Sequence, residues 1–337
     1  MFSESLPVGS YGLPQEDRGN RGHFNLRHMK VLLIKTSSLG DVVHALPAVS
    51  DAVARGFEID WMIEEGFSEI ASMHPGVSSV IPVAWRRWRQ SLVSSAHEIR
   101  AFKWKLRETK YDLCVDSQGL IKSGVLSLMS KSSIKAGYDY GSARESIVSF
   151  LYDKRVTVPR ELHAIDRQRQ LMASVLDYSL VEEADSGIGI RGLAKRQAFL
   201  LHGTTWESKH WPTERWIDLA CLLGSEGFEV LITWGNPRER QEAEAIASQT
   251  ASIVLPRMSL KQLAFKLSES MVIVGVDTGL THLSAAIGIS TIGLYGPTRI
   301  DLTGCRGPRA ETISSRSGMA GISVEAVWSR IQKIIKE

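Results

Sequence analysis

The sequence predicts an α/β protein made of two parallel-sheet domains, and three observations carry that expectation. Short apolar runs alternate with segments whose apolar residues recur at helical spacing, the pattern of strands joined by covering helices. The alternation stops at a stretch rich in acidic residues and glycine and then resumes, so the second half repeats the architecture of the first. At 337 residues the chain also exceeds what one hydrophobic core usually organises. Hydrophobic residues make up 43% and charged residues 23%, ordinary for a folded chain, and no apolar run approaches the roughly 18 residues that span a bilayer. With 40 basic and 37 acidic residues, the net charge of +3 makes no general case for nucleic-acid binding. Cys114, Cys221 and Cys305 are widely spaced and odd in number, which fits neither a disulfide framework nor a zinc site and is expected of a reducing cytoplasm.

Residues 1–28 are rich in Gly, Pro, Ser and charge without an apolar signal core, so they are expected to be a disordered extension, with folding beginning at Met29. Residues 29–180 then form the first domain. Val31 to Ile34 is a continuous apolar run, read as a buried strand; the polar loop Thr36-Ser37-Ser38-Leu39-Gly40-Asp41 follows. A helix comes next, with Val42, Val43, Leu46, Val49 and Val53 on one face and Pro47 inside it, tolerable near the first turns but expected to bend it. Further strands are expected at Glu58–Ile63, Ser79–Val83, Tyr111–Asp116 and Ser133–Tyr138. The region between Tyr178 and Lys195, acidic and carrying three glycines without periodicity, holds the linker, placed at 181–195.

The second domain, 196–337, restarts with strand Ala198–His202, helix Trp211–Ser225, strand Glu229–Trp234, helix Pro237–Ser248, strand Ser252–Leu255 and helix Leu260–Ser268. Val272 to Ala286, VIVGVDTGLTHLSAA, reads as strand, tight turn and helix; strand Thr291–Tyr295 and an amphipathic helix through Val324, Val327, Trp328 and Ile331 end the chain.

Ligands of open parallel sheets bind beyond the carboxyl ends of the strands. Three polar loops fall there in the second half: residues 202–210, residues 234–239 and Asp277-Thr278-Gly279. A helix N-terminus with unpaired amides beside Asp277, Thr278 and Gly279 suits a phosphate, although Asp277 or Thr278 as a plain N-cap satisfies the same residues. Lys209 can set a positive charge against a diphosphate, Thr204 and Thr205 offer hydroxyls, and Glu239 can accept from ribose hydroxyls. Neither a Walker pattern nor GxGxxG occurs, which weakens P-loop phosphoryl transfer and dinucleotide oxidoreduction together.

At the corresponding edge of the first half stand Ser37, Ser38, Gly40 and Asp41. An ionised Asp41 facing the interdomain cleft can take a proton from an acceptor hydroxyl; Asp41 as helix N-cap is the structural alternative. Between Trp85 and Lys110 eight basic residues face only Glu98 and Glu108, with Trp85, Trp88 and Trp104 interleaved. Such a stretch suits an anionic membrane surface or a phosphorylated, carboxylated ligand, or else is a solvated helix face whose tryptophans point inward.

These residues together resemble a known family. KTSSLGDVVHALPA after the first strand, HGTTWESKHWP opening the second half, TWGNPRER, LPRMSL and VDTGLTHLSAA are similar, in order from Met29 to the end, to the lipopolysaccharide heptosyltransferases of glycosyltransferase family 9, most of all the branch that adds the first heptose. The resemblance implies the GT-B architecture: two Rossmann-like domains facing across a cleft, the acceptor held by the first and the donor by the second. It implies inverting transfer of L-glycero-D-manno-heptose from ADP-heptose to the inner Kdo of Kdo2-lipid A, on the cytoplasmic face of a Gram-negative inner membrane to which the enzyme attaches peripherally. Carried over by position, Asp41 is the general base. Donor contacts fall on Thr204, Thr205, Lys209, Glu239, Met258, Asp277, Thr278, Gly279 and His282. Acceptor contacts fall on Lys35, Ser38, Gly40, Arg86, Arg87, Arg89 and Arg144. No Asp-x-Asp stands at the donor site, so no obligatory metal or other cofactor is expected, Lys209 and the helix N-terminus serving instead. A second-heptose transferase, a sugar-nucleotide epimerase on the same fold and a nucleotide-binding regulator without turnover are the competing readings.

Overall fold

The computed structural model describes residues 29–180 and 183–336. The expected extension at 1–28 and the first two residues of the expected linker lie outside the described residues. The first half contains β1 (Lys30–Ile34), α1 (Leu39–Val53), β2 (Glu58–Glu64), α2 (Ser68–Ser72), β3 (Val77–Val83), α3 (Trp85–Trp88), α4 (Leu92–Leu106), β4 (Lys110–Asp116), α5 (Ile121–Met129), β5 (Lys131–Tyr138), β6 (Lys154–Val156) and α6 (Ala164–Leu176). The second contains β7 (Lys195–Leu201), α7 (Thr213–Ser225), β8 (Glu229–Ile232), α8 (Pro237–Ala247), β9 (Ile253–Val254), α9 (Leu260–Ser268), β10 (Ser270–Val276), α10 (Gly279–Ala286), β11 (Thr291–Tyr295), α11 (Ile300–Thr303), β12 (Ala310–Ser314) and α12 (Val324–Lys336).

Each half carries a six-stranded sheet, ordered β3-β2-β1-β4-β5-β6 and β12-β11-β10-β7-β8-β9, with every described pairing parallel. The two orders are the same doubly wound plan. Strand β1 is central and covered on both faces: Val31 and Leu33 enter the core under α1 and α6, while Leu32 and Ile34 pack with Leu106 and Leu126 under α4 and α5. That two-sided burial is why it reads as an unbroken apolar run rather than an alternating one. The terminal helix α12 buries Val324, Val327 and Ile331 against the second sheet. Among the described residues no helix is long and apolar enough to cross a membrane.

Several elements lie beyond the sequence reading. Strands β6 and β12 are short sheet edges with little apolar pattern, and α6, not assigned from sequence, packs its buried face on α1. Strand β7 begins at Lys195, the last residue of the expected linker. Helix α1 continues through Pro47 to Val53.

The two halves meet where α1 faces α10. A Cβ on Gly279 would lie 2.6 Å from Cβ of Leu39, too close without a shift, and one on Gly40 would lie 3.1 Å from the His282 ring, a tight contact. Away from that contact, Lys261 N–H donates to Glu69 (2.7 Å) and Arg306 pairs with Asp166 (2.7 Å). One buried ion pair ties the first half together. Asp51 of α1 accepts from Arg169 of α6 at 2.7 and 3.3 Å, and Arg169 also donates to the Glu183 carbonyl in the connection to β7. Both partners are about 5% exposed. Removing one strands the other's charge in the interior. Arg169→Leu is therefore expected to lower unfolding free energy by about 3–5 kcal/mol in urea titration, and the double change Asp51→Leu with Arg169→Leu to recover most of it.

Candidate active site

Both sheets have a switch point where chain direction of the winding reverses, between β1 and β4 in the first and between β7 and β10 in the second. Loops diverge there and leave a crevice at the strands' carboxyl ends. In each sheet a side chain bridges it.

In the first half the bridge is Gln118, after β4, whose carbonyl oxygen accepts from the Thr36 and Ser37 N–H groups, both at 3.1 Å, after β1. Buried Asp116 in turn accepts from the Gln118 and Gly119 N–H groups and from the Tyr152 hydroxyl at 2.6 Å. Burial raises the Asp116 pKa, against the opposing hydrogen bonds from Tyr152 and Ser123. This network fixes the loop that leads into α1. Ser38, not Asp41, is the N-cap residue of that helix. Asp41 stands three residues on, where its Oδ2 accepts from the Ser38 N–H (2.9 Å) and hydroxyl (3.2 Å). Asp41 is therefore not the N-cap residue but the N3 partner in a capping box with Ser38, so the structural alternative holds in that form for Oδ2, while Oδ1 takes no hydrogen bond from the described residues.

Beside Asp41 opens a cavity of about 220 Å³ lined by Lys35, Arg144, Arg160 and Arg167 as well as Gln118 and Tyr138, and closed from the second half by Leu302 and Thr303. Four cations thus surround one carboxylate. Lys35 is buried, donates to the Ser117 carbonyl (3.2 Å), and has its pKa lowered by burial, with Asp41 and Asp116 opposing.

Of the acceptor candidates, Lys35 and Arg144 line this cavity; Ser38 holds Asp41, and Gly40 sits at the contact with His282. Arg86, Arg87 and Arg89 are exposed and outside its wall. Arg87 is bound to both Glu65 and Glu98, so it is neutralised locally. Arg86 and Arg89, with Arg144, lie near enough to half-buried Lys122 to lower its pKa alongside burial, the leading cause. Lys122 donates to the Ser37 hydroxyl at 3.0 Å. Gln118, Lys122, Arg160 and Arg167 were not found from sequence; they come from separate segments with no motif spacing, and only the cationic residue types themselves were a signal. The tryptophans divide: Trp88 is buried, whereas Trp104 is 69% exposed.

In the second half Lys209, after β7, pairs with Asp277, after β10, at 2.7 Å. The same Asp277 oxygen accepts from the Thr298 hydroxyl at 2.8 Å, and the other lies 3.7 Å from His282 Nε2. Burial pushes the Asp277 pKa up, but His282, Lys209 and Thr298 outweigh it and hold the group at about 2. The stability this gives is present above the usual carboxylate range and is lost as pH falls toward 2. Thr278 takes the N-cap position of α10, with no hydrogen bond from its side chain to the helix, so the leading amides remain available.

Glu239 folds back over Gly203 and accepts from the Gly235 N–H at 2.6 Å; its own N–H is capped by Asn236. Trp234 donates to the Leu255 carbonyl (2.9 Å), drawing the loop bearing half-buried Met258 toward the same edge. Thr204 and exposed Thr205 stand between these groups in the loop after β7. The donor candidates therefore lie in the segments that follow β7, β8, β9 and β10, and His282 among them contacts the first half through His44.

The model of glycosyltransferase family 9 (heptosyltransferase) matches residues 99–326. Lipopolysaccharide heptosyltransferase 1 of Pseudomonas aeruginosa is 44% identical over 290 residues, 83% of this chain and 82% of that protein. Among solved structures, Escherichia coli heptosyltransferase WaaC with ADP superposes with a TM-score of 0.86 at 38% identity, over 91% of this chain and 100% of that one. The same enzyme with ADP-2-deoxy-2-fluoro heptose gives 0.83 at 37% identity, over 90% and 99%. The superposition extends over both sheets and gives the GT-B arrangement. The chain belongs to glycosyltransferase family 9, the heptosyltransferases.

Proposed function

We propose that the protein transfers heptose from ADP-heptose to the inner Kdo of Kdo2-lipid A in the lipopolysaccharide inner core, with Asp41 as general base. The observation that carries this reading is the pairing of a singly occupied carboxylate in a four-cation cavity with a cationic, amide-rich edge on the facing half. Cations suit an acidic sugar acceptor, and the row around Lys209 suits a nucleoside diphosphate. The relative solved with an ADP-heptose analogue supports the donor.

Asp41 Oδ1 takes the proton of the acceptor hydroxyl as that oxygen forms its bond to the anomeric carbon. On the opposite face the bond to the diphosphate breaks, and the electron pair leaves with ADP toward Lys209, Thr204, Thr205 and the α10 N-terminus. One displacement inverts the anomeric centre, the logic of inverting glycosidases with a sugar hydroxyl in place of water. Glu239 binds the ribose and Met258 the adenine side. The acceptor domain comprises 29–180 and the donor domain 196–337, joined by 181–195.

The acceptor is a lipid, and an apolar surface adjoins the cavity. Gln118 and Arg144 line the cavity and stand just before α5 and the turn Ser146–Leu151. Ile121, Val125 and Leu128 are exposed at helical spacing on α5, and Ile147 and Phe150 are exposed on the turn, which packs on α5 at Gly124. Leu92, Val93 and Trp104 are exposed on the basic helix α4. These faces support peripheral attachment to the cytoplasmic face of an anionic membrane, with α5 and its neighbouring turn adding the apolar contact to the charge of α3 and α4.

Incubation with ADP-heptose and Kdo2-lipid A is expected to release ADP and add one heptose to the acceptor. Asp41→Asn is expected to cut kcat by about 100-fold or more while ADP still binds; transfer at the wild-type rate would remove Asp41 from the mechanism, and addition only to an already heptosylated acceptor would assign the second heptose. In flotation with anionic vesicles, Ile121→Asp and Phe150→Asp are each expected to weaken association about tenfold, leaving transfer to a deacylated acceptor unchanged.

A further inference from the structure

A histidine that the proposed chemistry does not use lies between the two halves. His44 is on α1, one turn beyond Asp41, and its side chain is buried. Its Nε2 is 3.3 Å from Nδ1 of His282, on α10 across the interface, with the rings edge to face at 4.5 Å. Beyond it, His282 Nε2 faces the Asp277 carboxylate that holds Lys209. The groups run in line from the base-bearing helix to the leaving-group side: His44, His282, Asp277, Lys209.

Of the two arrangements in which both rings are neutral, one suits that line better. If His282 carries its proton on Nε2, that N–H points toward the negative Asp277, and Nδ1 is free to accept from His44 Nε2–H. His44 Nδ1 is then a bare lone pair, and it is a buried atom with no hydrogen-bond partner among the described residues. The opposite arrangement turns a lone pair of His282 toward a carboxylate and leaves a buried N–H of His44 unpaired, a costlier outcome at both ends. The surroundings keep His44 neutral. Burial lowers its pKa well below the usual value, followed by His282, His163, Lys35 and Arg306. His163, 5.5 Å away, spends its own nitrogens on the Gly304 carbonyl and the Ile165 N–H, so it supplies no partner.

We propose that His44 is a positioning residue: by donating to His282 Nδ1 across the interface, it fixes the Nε2-protonated tautomer of His282 and so holds Asp277 and Lys209 in register with Asp41 when the halves close. The hydrogen bond exists only while α1 and α10 are in contact. It therefore makes the geometry of the donor side conditional on closure. The effect on turnover rests on the transfer reaction proposed above; the tautomer does not.

Long-range proton–nitrogen correlation spectra of the full-length, histidine-labelled protein, with His282 assigned by substitution, read the tautomer directly. Wild type is expected to carry the His282 proton on Nε2 with Nδ1 as acceptor. His44→Leu is expected to shift that Nδ1 signal toward an unbonded acceptor and to lower kcat by about tenfold, the loss of one buried hydrogen bond, with acceptor KM little changed. His44→Gln, which keeps an N–H donor at the reach of Nε2, is expected to restore kcat to within about threefold. Thermal melting separates a merely structural role, since that role predicts equal kcat in the leucine and glutamine variants whatever their stability. A proton on His282 Nδ1 in the wild type overturns the proposal, as does wild-type kcat in His44→Leu. Should the wild type transfer no heptose at all, the reaction assignment fails, and the His282 signals of wild type and His44→Leu still decide the relay.

Discussion

The close approach of α1 to α10 is the constraint on which the rest of the molecule depends. At the N-terminal ends of these helices each glycine packs against a full side chain of the other half, Gly279 on Leu39 and Gly40 on the His282 ring, so the helices approach closely where one partner has no Cβ. Both helices begin at the switch points of their sheets, so the approach brings two carboxyl-edge crevices face to face. The core reflects it: residues under α1 and α6 form one continuous apolar cluster with Phe199, Leu201, Leu263 and Leu283 of the second half. A larger side chain at either glycine would separate the base side from the donor side before it disturbed either sheet.

Charge is distributed to match that geometry. In the first half cations outnumber carboxylates around the cavity, and Asp41 is held by Ser38 rather than by a cation, so its second oxygen takes no hydrogen bond from the described residues. On the donor side Lys209 is already paired with Asp277. The pair keeps a half-buried ammonium oriented, and a diphosphate bound there would have to share that charge with the carboxylate. The buried network of Asp116, Gln118 and Tyr152 belongs to the same design, because it fixes the loop that starts α1 without taking part in bond changes.

Much of the fold could be read from the chain because buried parallel strands leave continuous apolar runs and their covering helices leave a 3.6-residue period. Strands β1, β10 and β11 are clear cases. The edges β6 and β12 were missed because a strand paired on one side needs little apolar character. The motif residues were legible for a different reason: Asp277 directly follows β10, and Asp41, Lys209 and Glu239 stand in the polar segments between β1, β7 or β8 and the body of the helix that follows, where the apolar patterns on either side mark the connection. Arg160 and Arg167 have no such mark. Arg167 reaches the cavity on α6, which packs on α1, and Arg160 in the turn that leads into α6, a placement set by packing between distant segments. Arg87 shows the converse, a conspicuous basic residue whose charge is taken up by Glu65 and Glu98.

The sequence by itself determined the two alternating sheets, the polar loops proposed to carry the chemistry and the family to which the chain belongs, since each depends on local pattern or on motif order along the chain. Tertiary structure alone decided which cations share a cavity with Asp41, that Ser38 rather than Asp41 caps α1, and that His44 meets His282. Those outcomes depend on how two separately folded faces come together. Contacts between residues more than 200 positions apart, such as His44 and His282, have no periodicity to record them; the glycines that permit the approach are visible in the sequence, but what they approach is not.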